Sequence, residues 1–109
     1  MSVGTQSYVP VSGTVTVGGA QNALITNPTA AVANTEYSLA LQTNLKAILI
    51  RNRDKSADIK FTFVSGESGT KYVTIRPSTV FFVDGLEFSG KTLYYQSSKI
   101  STIEVVEYY

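Results

Sequence analysis

The sequence predicts an all-β domain, a jelly-roll-like antiparallel β-sandwich of about eight strands, preceded by an extended N-terminal arm. Three observations lead there. Short segments rich in Val, Ile, Thr, Tyr and Phe recur along the chain, separated by Gly, Pro, Asn and Asp turn signals. The chain has 109 residues, the length of one domain and enough to bury a core without covalent staples. It contains no cysteine, so neither disulfides nor thiolate metal sites contribute to its stability.

Charge divides the chain in two. The first formal charge is Glu36, and all nine basic and eight acidic residues follow from there. Residues 1–35 are therefore expected to form an uncharged arm and residues 36–109 the sandwich. Within the arm, Gly13-Thr14-Val15-Thr16-Val17-Gly18 alternates polar and β-branched residues as one short strand, and the rest reads as loop or arm. Asn27-Pro28 followed by Ala30, Ala31 and Ala33 offers a competing cap and first turn of a short helix, which Asn34-Thr35 cuts off.

From Tyr37 onward each strand has its own signal. Tyr37–Leu41 alternates. Lys46–Arg51 carries Ala47-Ile48-Leu49-Ile50, apolar on both faces as in a covered central strand. Arg51 to Ser56 is a polar turn. Asp58–Phe63 alternates strictly, with Ile59, Phe61 and Phe63 facing inward. Ser65-Gly66-Glu67-Ser68-Gly69 is a glycine-containing hairpin loop. Tyr72–Ile75 is stopped by Pro77, and Thr79–Val83 ends at the Asp84-Gly85 turn. Leu86–Phe88 is brief, Ser89-Gly90 turns the chain, and Thr92–Gln96 and Thr102–Val106 close the domain. The expected core holds Phe61, Phe63, Phe81 or Phe82, and Leu93 or Tyr95.

The composition excludes most chemistry. Histidine, the commonest general base and metal ligand, is absent along with cysteine. Asp54 and Asp58 lack the regular oxygen spacing of a calcium loop, and Arg53, Lys55 and Lys60 surround them. They read as a solvated turn with local ion pairs. Asp84, Glu87 and Glu67 each sit beside a glycine turn, where polar residues are expected without any catalytic pairing. Gly18-Gly19 lacks the Lys-Ser/Thr of a phosphate loop. No catalytic residue, metal or cofactor is expected. A net charge of +1 gives no electrostatic grip on nucleic acid. No apolar run is long enough to cross a bilayer as a helix, and the first residues lack the basic and apolar regions of a signal peptide, so the chain is expected to be made in a cytoplasm.

What remains is contact area. Phe81-Phe82, Tyr94-Tyr95 and Tyr108-Tyr109 are adjacent pairs, and neighbours in a strand face opposite sides. Some aromatic surface must therefore lie outside the core, where tyrosine suits protein contacts. A neutral, strand-capable arm suits addition to a neighbour's sheet edge. The candidate contact residues are Tyr8, Val15 and Val17 in the arm, Arg51 and Arg53 in the basic turn, and Tyr94, Tyr108 and Tyr109.

Several phrases carry a family resemblance: Ile50-Arg51-Asn52-Arg53-Asp54, Ser56 to Phe61, Gly69 to Ile75, Asp84-Gly85-Leu86, Gly90 to Ser97 and Glu104 to Tyr108. Across residues 36–109 the chain resembles the small all-β virion structural proteins of tailed bacteriophages. The resemblance implies a capsid decoration (cement) or minor head protein, with the major capsid protein or neighbouring virion subunits as partners. It implies a homo-oligomer on the particle, made in the host bacterial cytoplasm. A head–tail joining or minor tail subunit is the nearest alternative. A carbohydrate-binding module using Tyr94, Tyr95 or Tyr108 is the alternative from another class. The sequence reading also expects a chain lacking residues 1–34 to fold.

Overall fold

The computed structural model describes residues 20–86 and 90–109. The expected strand around Val15 and Val17 lies outside the described residues, as does most of the one at Leu86–Phe88. Nine strands form among the described residues: β1 (Ala23–Thr26), β2 (Thr29–Ala30), β3 (Tyr37–Ala40), β4 (Ala47–Asn52), β5 (Ile59–Thr62), β6 (Val73–Ile75), β7 (Val80–Val83), β8 (Thr92–Ser97) and β9 (Ser101–Tyr108). From Tyr37 onward they fall on the expected segments, with boundaries moved by at most two residues. The differences come earlier. Residues 23–30 hold two strands where loop was expected, and Ala30 is paired in a sheet rather than in a helical turn.

All pairings are antiparallel, in two sheets. Sheet one runs β1-β9-β4-β7, with β2 also on β9; sheet two runs β3-β8-β5-β6. Four of the ladders are nested: β5 with β6, β4 with β7, β3 with β8, and β1 with β9. The chain thus behaves as one long hairpin whose tip is the loop between β5 and β6. Wrapping that hairpin adds the ladders β4–β9 and β5–β8. With β1 and β2 counted as one strand interrupted at Asn27-Pro28, this is the eight-strand jelly-roll order.

The hairpin's tip is fixed by chemistry local to it. Gly66 takes φ of 82°, a conformation that costs other residues more. The Glu36 carboxylate reaches across from the start of β3 and accepts hydrogen bonds from the Gly66 and Ser68 amides and the Ser68 hydroxyl. The Ser68 hydroxyl, helped by the two amides, holds the Glu36 carboxyl below its ordinary pKa.

The core lies between the sheets. Ile48 and Ile50 of β4 and Ile103 and Val105 of β9 meet Ile59 and Phe61 of β5 and Leu93 and Tyr95 of β8, all buried. Of the expected alternatives, Phe81 points inward and Phe82 outward, while Leu93 and Tyr95 both belong to the core. Phe61 meets Phe81 edge-on across the sheets at 5.0 Å, a geometry in which one ring's positive edge faces the other's negative face. Leu41 and Leu45 are buried in the β3–β4 connection.

Asn52 is a polar member of this interior and is fully buried. It closes β4 on the core-facing side, where the chain leaves sheet one for sheet two. Its side-chain amide donates to the carbonyls of Ala57 at 2.7 Å and Ile75 at 2.9 Å, while its Oδ1 accepts from the Asp54 amide. Its backbone amide donates to Thr79. One residue thus connects β4, the turn after it, the end of β6 and the β6–β7 connection. The Asp54 carboxylate continues the turn by accepting from the Ser56 and Ala57 amides, and these bonds, Ser56 first, hold its pKa below the ordinary value.

Three variants test this account. Asn52→Ala strands two buried carbonyls and one amide, and is expected to cost about 2–3 kcal/mol in urea unfolding. Removal of residues 1–19 leaves every described strand in place, so that chain is expected to fold. Removal of residues 1–34, contrary to the sequence expectation, strips β1 and β2 from β9 and is expected to abolish cooperative unfolding.

Candidate interaction surfaces

Side chains alternate across each strand, so the registers fix which residues share an outer face. On sheet two the outward residues are Ser38 of β3, Tyr94 and Gln96 of β8, Lys60 and Thr62 of β5, and Thr74 of β6. This is the half-solvated pattern usual for an antiparallel sheet. The Lys60 ammonium lies 4.6 Å from the ring centre of Tyr72, just before β6. Beside it an open depression of about 340 Å³ is lined by Phe61, Thr62, Phe63, Lys71, Tyr72 and Val73.

Sheet one breaks that pattern. Register places Ile25 of β1, Val106 of β9, Leu49 of β4 and Phe82 of β7 side by side on its outer face. Ile25 is 65% exposed and Phe82 46%, Leu49 is partly buried, and Val106 is 8% exposed. On one side of this apolar row, Tyr108 meets Phe82 edge-on at 6.4 Å. On the other side lie Glu104, Arg51 and Val80. The Arg51 Nε is 3.4 Å and the Arg53 Nη1 3.6 Å from the Glu104 carboxylate. Both arginines are half-exposed or more, so these pairs add little stability but hold both guanidiniums at the border of the row.

The expected contact residues divide accordingly. Tyr8, Val15 and Val17 lie outside the described residues. Arg51, Arg53 and Tyr108 come together on the outer face of sheet one, with Tyr109 at its end bonded through its backbone to Asn22. Tyr94 lies on the opposite face of the molecule. Tyr95, considered for sugar stacking, is 3% exposed and stacks on Tyr37 inside the sandwich at 6.0 Å, which removes it as a contact residue. The ion pairs expected within the 51–58 turn instead run across the sheet to Glu104, because register sets Arg51 opposite that residue. Sequence reasoning missed Ile25, Leu49, Phe82 and Val106. The signal is present in the two-faced apolar run Ala47–Ile50, which reads as a covered strand, and in the Phe81-Phe82 pair, of which one ring must leave the core without the sequence saying which.

Among the described residues no group of three or more acidic side chains is placed to hold a metal ion. One acidic group is unusual. Glu107 of β9 is 1% exposed and shares the core-facing side of its strand with Ile103 and Val105. Its Oε1 accepts the Gln42 backbone N–H at 2.7 Å. Loss of water around the carboxyl raises its pKa, and the Gln42 bond offsets this only in part. A raised value means that the fold prefers the protonated form. The contribution of Glu107 to stability is therefore full below the ordinary carboxylate pKa and is lost as pH rises through the folded value. Glu107→Gln keeps the shape without the charge. It is expected to unfold at higher urea than the parent at pH 7, the gap closing as pH falls into the ordinary carboxylate range.

No protein-family model matches this sequence, and no curated protein matches it.

Proposed function

We propose that this chain is a non-enzymatic structural protein of a virion, binding and stabilising a capsid shell as a decoration (cement) protein. The observation that carries the reading is the outer face of sheet one, an apolar row bordered by tyrosine and paired charges. Such a face offers contact area of the kind protein partners use. The jelly-roll order supports it by analogy, since viral capsid domains use this layout; fold alone does not fix function. The lack of imidazole and thiol groups agrees with a role that needs no proton transfer or nucleophile. A protein of this kind stabilises by mass action, because it binds the assembled shell better than the separated subunits. Attachment through both the sandwich and the 1–19 segment raises avidity without demanding one tight site.

A second reading, a carbohydrate-binding module, draws on the outer face of sheet two, where Tyr94 and Tyr72 accompany Thr62 and Gln96. Lectin domains also use the jelly roll. The Lys60 side chain over the Tyr72 ring occupies the surface a sugar would stack on, so the structural role is the better supported of the two.

The deciding experiment is quantitative mass spectrometry of purified virions that carry the gene, with a glycan array on the isolated protein beside it. The expected result is a copy number in proportion to the major capsid subunits, and no glycan binding. Absence from the particles, or a copy number fitting a single ring, would overturn the shell reading.

A further inference from the structure

We infer that the outer face of sheet one is the surface through which a second copy of this chain docks, sheet against sheet. The inference rests on that face alone and does not require the shell reading. An antiparallel sheet whose outer side meets only water carries polar residues there, and sheet two obeys this rule with Ser38, Tyr94, Thr62, Lys60, Gln96 and Thr74. Sheet one does not. Its line Ile25–Val106–Leu49–Phe82 crosses four strands without a polar side chain, and Val80, 47% exposed, widens it on β7. Its exposed apolar area lies at Ile25, Phe82 and Val80, joined by the partly buried Leu49 and the largely covered Val106, and apolar area grouped in this way on a small domain marks a contact surface.

The border identifies the occupant. Arg51, Arg53 and Glu104 lie together along one side of the strip, so the border carries both signs within a few ångströms. A partner of a single sign would meet repulsion from one half of that border. A copy of the same face, turned about a two-fold axis through the strip, brings the arginines of one chain toward Glu104 of the other. That is the self-complementarity an isologous contact requires. A net charge of +1 leaves little long-range repulsion between copies. Apolar rows at the centre with charged groups at the rim reproduce the usual anatomy of an interface.

The test uses the full chain in solution, free of any particle. Sedimentation equilibrium from about 10 µM to about 1 mM is expected to show a monomer–dimer equilibrium. Phe82→Asp and Ile25→Asp are expected to weaken the dimer about thirtyfold or more, while Thr62→Asp on sheet two leaves it unchanged. Far-ultraviolet circular dichroism checks that each variant is folded. Because the chain has no cysteine, Leu49→Cys, near the centre of the strip, gives a second reading independent of the aspartate variants. Mild oxidation is expected to yield a covalent dimer, and Thr62→Cys is expected to yield none. A chain that stays monomeric over the whole range overturns the inference, whether the strip is then bare or covered by residues 1–19. A dimer that Thr62→Asp disrupts and Phe82→Asp does not overturns it as well.

Discussion

A jelly roll changes sheets at nearly every connection, and each change forces backbone polar groups to leave one ladder before they can join another. In this chain the transition after β4 begins at a fully buried residue, and the Asn52 side chain resolves it. Its amide replaces the missing ladder partners of Ala57 and Ile75, and its carbonyl oxygen receives the Asp54 amide. The low-polarity surroundings strengthen these bonds and also make their loss costly. The turn that Asn52 holds allows β5 to enter sheet two in register with β8 and β6. Only in that register do Ile59 and Phe61 meet Ile48 and Ile50 in the core.

β9 is the second constraint, and it explains how the two faces of sheet one acquire different characters. It pairs with β1, β2 and β4 at once, so its alternation is imposed on the sheet. Its inward set, Ile103, Val105 and Glu107, builds the core and includes one carboxyl that the fold favours in its neutral form. Its outward set, Glu104, Val106 and Tyr108, sits across from Arg51, Leu49 and Ala47 of β4. The apolar strip and its charged border are thus the outer side of the same registers that assemble the interior.

The two outer faces would use different physics. The face of sheet two is hydrated, with hydroxyl, amide and ammonium groups spread among tyrosines, and leaving it exposed costs little. The exposed parts of the strip on sheet one, at Ile25, Phe82 and Val80, cost free energy for as long as they face water, at roughly 25 cal/mol for each Å² of apolar area. A surface of that kind gains from being covered, and the shell contact and the self-contact proposed above are two ways of covering it.

The sequence by itself determined the class of fold, the positions of the strands after Tyr37 and the absence of imidazole and thiol chemistry. These follow from local rules: period-two alternation, glycine and proline punctuation, and simple composition. It also required that one residue of each aromatic pair leave the core, without saying which. Tertiary structure decided the rest. Ala23–Thr26 and Thr29–Ala30 become strands because β9 offers them partners some eighty residues away, a gain no local window contains. Register decided that Phe81 turns inward and Phe82 outward, that Tyr95 is core, and that Arg51 meets Glu104 rather than a carboxylate in its own turn. The apolar row on sheet one was only partly legible for the same reason. Its four central residues lie on four different strands, and only long-range pairing brings them into one line.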